Sequence, residues 1–214
     1  MRLTWALVLA LLAVIKTVRC NDPCASVPFT NRITYNGSCF AFSSPTDPSL
    51  VAQSSAKSRC EWSNGRLAVL PDTATFTAVH NFLKTITTSD VWVSAVRNQS
   101  RTLGQSNVQD RINWVHDTQH VEWGQLTEST FWAANKPDNA APEYWCARMR
   151  YMGATDGHLL DDKSCSTPYN YLCEYRIAQN TNCYNGGTGQ SNPWLDPACQ
   201  CRPYFYGDNC ERKQ

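Results

Sequence analysis

The apolar positions of the chain fall into several distinct patterns. Trp5 to Ile15 (WALVLALLAVI) is an unbroken apolar run behind the basic start Met1-Arg2, and Val18 and Cys20 occupy the −3 and −1 positions of a small-residue cleavage pattern. This predicts a secretory signal peptide over residues 1–20. The run is too short for a bilayer, which needs about 20 apolar residues. No second run follows, so a secreted chain without a membrane anchor is expected. Arg32 to Phe40 alternates and is rich in strand formers. Ser49 to Trp62 carries Leu50, Ala52, Ala56 and Cys60 at near-helical spacing. Asp72 stands as the N-cap of a second helix whose one face holds Phe76, Val79, Phe82 and Leu83. Val91 to Val96 reads as a buried strand, and strands return at Tyr144–Met149 and Tyr169–Tyr175. Between them, residues 97–145 are polar and turn-rich yet contain Trp114, Trp123, Phe131, Trp132 and Trp145. A long loop region that keeps aromatics tends to be functional. Trp92, Trp114 and Trp132 are assigned to the core. Two early helices and a later, irregular strand system predict an α+β domain.

Composition narrows the function classes. The chain has 214 residues, 17% of them charged, and a formal net charge of +1. That balance gives no electrostatic case for nucleic acid, and no Lys/Arg block suggests a membrane surface. There are 11 cysteines, and cleavage after Cys20 leaves 11 − 1 = 10, an even set that predicts five disulfides in an oxidising compartment. Cleavage after Thr17 would instead leave Cys20 unpaired. Asn36-Gly37-Ser38 and Asn98-Gln99-Ser100 are N-glycosylation sequons, at Asn36 and Asn98. Cysteine density changes near residue 176: Cys24, Cys39, Cys60, Cys146, Cys165 and Cys173 are widely spread, whereas Cys183, Cys199, Cys201 and Cys210 crowd the tail. The polar stretch 176–182 between them is the expected linker.

Enzyme chemistry finds little support. His116 and His120 have the i, i+4 spacing of a zinc-protease helix, but the residue after His116 is Asp117 and the flanking residues make no helical face. There is no Gly-x-Ser-x-Gly elbow, and the cysteines are taken up as disulfides. No catalytic residues are assigned, and the chain is expected not to be an enzyme.

The order of markers resembles the C-type lectin-like domain, long form, over about Cys24–Tyr175. Ser58-Arg59-Cys60-Glu61-Trp62-Ser63-Asn64-Gly65-Arg66-Leu67-Ala68 resembles that family's helix-end cysteine and Gly-x-Leu-Ala turn. Val91-Trp92-Val93 resembles its Trp-Ile-Gly-Leu strand, and Trp132 to Asn139 its W-x-x-x-E-P-N region. The resemblance implies the pairs Cys24–Cys39, Cys60–Cys173 and Cys146–Cys165. The tail, 183–210, resembles an EGF-like module lacking its first and third cysteines, with Gly189 in the third position. That likeness implies Cys183–Cys199 and Cys201–Cys210, and residues 211–214 form a tail. The domain reading is thus 1–20 signal peptide, 21–175 lectin-like domain, 176–182 linker and 183–210 EGF-like module.

Sugar-binding members of that family hold a calcium with side chains on either side of a cis-proline, a glutamate before a core cysteine, and a Trp-Asn-Asp motif. Carried over, Pro137 would be cis, and Lys136 and Asp138 flank it. Glu143 lies three residues before Cys146, and Tyr144 occupies the usual glutamate position. Asp161 and Asp162 match the Asn-Asp pair, with Leu160 in place of the tryptophan. Two readings stand side by side. In one, Asp138, Glu143, Asp161 and Asp162 ligate calcium, and Lys136, Asp138, Asn139, Glu143, Tyr144 and Asp161 bind a glycan or glycoprotein with galactose-type donor–acceptor polarity. In the other, Lys136 is the counter-charge of the carboxylates, and the domain recognises a protein ligand without calcium. Trp123, Tyr144 and Trp145 are candidates to stack on a sugar face.

Overall fold

A computed structural model describes residues 22–25, 27–43, 50–98, 111, 114–116, 129–140 and 145–176, and in the tail 184–185, 188–189, 199–206, 210 and 212–213. The expectations for residues 1–20, Asn98-Gln99-Ser100 beyond Asn98, His120, Trp123, Glu143, Tyr144 and the Cys183–Cys199 bridge lie outside the described residues.

The alternating stretch at the start is a hairpin rather than one strand. β1 (Arg32–Tyr35) and β2 (Ser38–Phe42) pair antiparallel about Asn36-Gly37. Both turn residues have positive φ, 45° and 74°, as a two-residue type I′ turn requires. The first helix, α1, runs Gln53–Trp62, four residues later than the sequence pattern begins, and buries Gln53, Ala56 and Cys60. β3 (Arg66–Leu67) follows. Helix α2 (Thr73–Ile86) starts where expected: the Asp72 side chain accepts the Thr75 N–H at 2.7 Å. Its buried residues Phe76, Val79, Phe82 and Leu83 recur at helical spacing, so the helix lays one stripe on the sheet.

The sheet then assembles from β4 (Val91–Arg97), β5 (Trp114–Val115), β6 (Cys146–Tyr151), β7 (His158–Lys163) and β8 (Asn170–Arg176). Strand order is β1-β2-β8-β4-β6-β7, with β3 on β8 and β5 on β4. Only β4 and β8 run parallel among these pairs. β7 was not among the strands predicted: HLLDDK has two adjacent carboxylates and no β-branched residue, so propensity spoke against it. Pairing with β6 over its full length overrides that preference. One core collects Phe40, Phe42, Leu70, the α2 stripe, Val91, Val93, Trp114, Phe131, Trp132, Met149 and Leu160. Trp92 belongs to a second cluster around Cys60 and Cys173. All three core tryptophans are thus buried. Burial of this apolar surface is the main term holding the layers together.

Disulfides tie the elements at separated points. Cys60 on α1 bonds to Cys173 on β8, Cys146 at the head of β6 to Cys165, and Cys24 to Cys39 on β2. In the tail, β9 (Thr188–Gly189) pairs with β10 (Cys199–Gln200), and β11 (Phe205–Tyr206) with β12 (Arg212–Lys213). Cys201–Cys210 staples it, and the Asn185 side-chain amide donates to the Cys210 carbonyl at 2.8 Å. No helix among the described residues is long and apolar enough to cross a membrane.

Candidate functional site

The site forms at the edge of the sheet where, among the described residues, β7 has no further strand beside it. The segment after the 3-10 turn Ser129–Phe131 covers that edge. Trp132 bridges to Leu160, and the Ala133 N–H donates to the Leu160 carbonyl at 2.9 Å. An edge strand so covered cannot pair with another chain. Asn135 and Asn139 turn the backbone at φ 63° and 48°, conformations that Asn tolerates better than most residues. Between them the Lys136–Pro137 peptide is cis. Arg111 fixes the approach from the other side: its Nε and Nη2 donate to the Lys136 carbonyl at 3.0 and 2.9 Å.

β7 presents adjacent carboxylates to opposite faces, as strand alternation demands. Asp161 lies directly across from Arg148 of β6. Arg148 Nη2 approaches Asp161 Oδ2 at 3.0 Å and Arg150 Nη1 at 3.4 Å, while Arg148 Nη1 holds Asp90 Oδ2 at 3.1 Å. Asp162 faces the covering loop and accepts the Asp138 N–H at 2.9 Å and the Asn139 N–H at 2.7 Å. The Lys136 side chain reaches over the strand edge to both. Its ammonium lies 2.6 Å from Asp138 Oδ2, 2.9 Å from Asp161 Oδ1 and 3.8 Å from Asp162 Oδ1. Asp161 and Asp162 are buried, and the Lys136 side chain is 17% exposed.

Electrostatics follow from this packing. Burial alone would lower the Lys136 pKa, but hydrogen bonds and charge from Asp138 and Asp161 outweigh it, so the ammonium is held above its ordinary value. Burial would likewise raise Asp138, yet Lys136 holds it below the usual carboxylate range. Asp162 is pushed up by burial, which its two backbone N–H partners only partly offset.

The structure therefore brings together Lys136, Asp138, Asn139, Asp161 and Asp162, and adds residues that the sequence reading missed. Arg148, Arg150, Asp90 and Arg111 complete the network. A signal for two of them was available: Arg148 and Arg150 are two apart on one strand, so they share a face, opposite an acidic neighbour. Asp90, Asp138, Asp161 and Asp162 against the ion-paired Lys136, Arg148 and Arg150 give −4 + 3 = −1, and Arg111 on the Lys136 carbonyl brings the described network to 0.

Of the four expected ligands Glu143 lies outside the described residues, and the three described carboxylates, Asp138, Asp161 and Asp162, do not fit a calcium ion as they are arranged. Calcium takes six to eight oxygens at about 2.3–2.6 Å. Asp138 Oδ1 accepts the Ala140 N–H, and Oδ2 faces Lys136. Asp161 turns Oδ1 to Lys136 and Oδ2 to two arginines. Both Asp162 oxygens accept backbone N–H groups. Five of the six oxygens accept a hydrogen bond, and the sixth, Asp161 Oδ1, lies in ion-pair contact with the Lys136 ammonium at 2.9 Å. No grouping of three or more His, Cys, Asp or Glu suited to a metal occurs among the described residues.

His116 is not a metal ligand candidate either. It is buried with Nδ1 2.8 Å from the Ser94 carbonyl and Nε2 3.1 Å from the Leu70 carbonyl. It clamps the loop region to β4 and to the segment after β3. Of the stacking candidates, Trp145 is described, at the mouth of β6 and 41% exposed.

Comparison with known proteins places the fold. The family model described as Lectin C-type domain matches residues 50–175. No curated protein matches the chain. Among solved structures, human lithostathine is similar at 14% identity with a TM-score of 0.51, over 69% of this chain and 90% of that one. The mouse scavenger receptor C-type lectin carbohydrate-recognition domain is 18% identical with a TM-score of 0.49, over 69% and 96%. A calcium-independent type II antifreeze protein is 15% identical with a TM-score of 0.48, over 69% and 92%.

Proposed function

Since the chain belongs to the C-type lectin domain family, we propose that it is a secreted recognition protein that binds glycan-bearing ligands without calcium. The observation that carries this is the Lys136 ammonium, 2.6 and 2.9 Å from Asp138 and Asp161, at the point where the resemblance implies a metal. A fixed cation does for the loop what a divalent ion would: it neutralises converging carboxylates and pins the cis-Pro137 turn to β7. The binding face is the loop surface outside that pin, with Asp138 and Asn139 partly exposed, together with the exposed Trp145 at the head of β6. Asp138 offers acceptor oxygen to sugar hydroxyls, and Trp145 offers an apolar ring face. The Lys136-Pro137-Asp138 order keeps galactose-type polarity, so galactose-terminated glycans head the panel. Glu143 and Tyr144, which lie outside the described residues, are included as sugar contacts on family spacing alone. The EGF-like tail acts as a spacer from the recognition domain.

A second reading, protein recognition, draws on Trp62, which stands 84% exposed at the end of α1. Exposed tryptophans are preferred anchors of protein interfaces. A glycan array probed with the disulfide-intact protein in calcium and in chelator separates these cases. Equal binding in both conditions, lost in Asp138→Ala, supports the proposal. Binding abolished by the chelator refutes calcium independence, and an empty array with retained binding to deglycosylated ligand protein moves the function to protein recognition.

A further inference from the structure

Away from this site, the β1–β2 hairpin holds a second arrangement. Its turn residue Asn36 is exposed and begins the sequon Asn36-Gly37-Ser38. The third residue of that triplet is buried: the Ser38 hydroxyl donates to Glu174 Oε1 at 2.7 Å and accepts from Arg176 Nε at 3.1 Å. Asn36 also lines a surface pocket of about 180 Å³ between the hairpin and the start of α2. Phe40 and Val69 form its buried apolar lining, and Tyr35, Pro71 and Asp72 its accessible one. Asp72 spends Oδ1 on the Thr75 N–H, and its side chain reaches solvent.

We propose that Asn36 carries an N-linked glycan whose first N-acetylglucosamine packs into this pocket. The chemistry of the pocket suits an N-acetylhexosamine. A ring face and an acetamido methyl meet Tyr35 and Pro71, and hydroxyls meet the Asp72 carboxylate. The tether matters as much as the contacts. A sugar bound covalently at the rim faces the pocket at high effective concentration, so weak contacts suffice to hold it. Because Ser38 is locked by Glu174 and Arg176 once β2 pairs with β8, transfer to Asn36 precedes closure of the hairpin. The glycan then rigidifies the tip of a hairpin that carries the Cys24–Cys39 bridge. The inference rests on the chain being secreted, but not on what the loop around Pro137 binds.

The full chain, expressed through a eukaryotic secretory pathway in an Asn98→Gln background, tests it. Glycosidases give three forms: intact glycan, a single residual N-acetylglucosamine, and none. Asn36→Asp is the second variant, since Asp keeps the left-handed turn and lacks the acceptor amide. The expected result is a glycan on Asn36, the same midpoint for intact and single-sugar forms, and a midpoint lower by roughly 2–4 °C for the stripped form and for Asn36→Asp. Equal midpoints in all forms overturn the packing. A secreted protein bare at Asn36 overturns the modification. A chain retained inside the cell and bare removes the secretory premise itself, leaving the Lys136 site untouched.

Discussion

Replacing Lys136 with Met tests the built-in cation most directly, because it keeps the aliphatic stem and removes only the ammonium. Three contacts disappear, at 2.6, 2.9 and 3.8 Å. Breaking a buried ion pair by removing one partner costs about 3–5 kcal/mol. Two features place this case at the low end. Asp161 keeps Arg148 and Arg150, and Asp138 is a third exposed, so water takes over part of its solvation. The residual penalty falls on Asp162, which loses its nearest cation while remaining buried. An expected cost of about 3 kcal/mol follows, or roughly 6–12 °C at 2–4 °C per kcal/mol for a chain of this size. The assay is thermal unfolding with disulfides intact at neutral pH, in chelator and in millimolar calcium. Wild type is expected to be indifferent to calcium. Lys136→Met is expected to recover part of its loss when calcium is added, since ligand binding to the folded state alone raises the midpoint. Recovery should vanish in Lys136→Met with Asp162→Asn. A wild-type midpoint that rises with calcium, or a Lys136→Met cost within the roughly 0.5 kcal/mol of an ordinary surface change, would refute the reasoning.

The pH dependence has a definite sign on each flank. His158 is fully buried, its Nε2 3.1 Å from the Ser89 carbonyl and its Nδ1 buried without a hydrogen-bond partner; burial lowers its pKa, the Ser89 hydrogen bond opposes that, His80 adds to the lowering and Asp90 opposes it. Its neutral form is therefore worth stability above the unfolded value of about 6.5, and that contribution is lost as pH falls through the depressed folded value. Urea midpoints should decline on acidification from about 6.5 down to the depressed folded value, level off below it, and decline less in His158→Gln. Lys136 works oppositely: its raised pKa contributes stability at neutral pH that is lost as pH climbs through the raised folded value, and Lys136→Met should flatten that alkaline limb. Gly65→Ala places a Cβ 2.6 Å from Tyr175 Cε1 and 2.9 Å from the Glu174 carbonyl oxygen, an overpacking expected to cost about 1–3 kcal/mol by denaturant titration. Asp72→Ala removes the α2 cap and should cost about 0.5–2 kcal/mol in the same measurement.

How far the sequence could be read depended on which force set each feature. Helix α2 was legible because its cap and its apolar stripe are local, and Asp72, Phe76 and Val79 declare both within a few residues. The hairpin was legible only in part: alternation marked its strands, but Asn36-Gly37 was taken as part of one run rather than as the turn it makes. β7 was missed because Leu159-Leu160-Asp161-Asp162 carries no strand signal of its own; it is a strand because β6 pairs with it. The site was legible as a set of residue types and not as a charge balance. Asp138, Asp161 and Asp162 could be picked out by family spacing, and on the sequence they invite a metal. What decides against one is non-local. Arg148 and Arg150 face Asp161 only through the β6–β7 register, and the Asp138 and Asn139 N–H groups reach Asp162 only because the loop folds over the sheet edge. A carboxylate cluster read from sequence is a count of negative charges. Its chemistry is fixed by the donors that the fold has already turned towards each oxygen, and here Lys136 is the last of them.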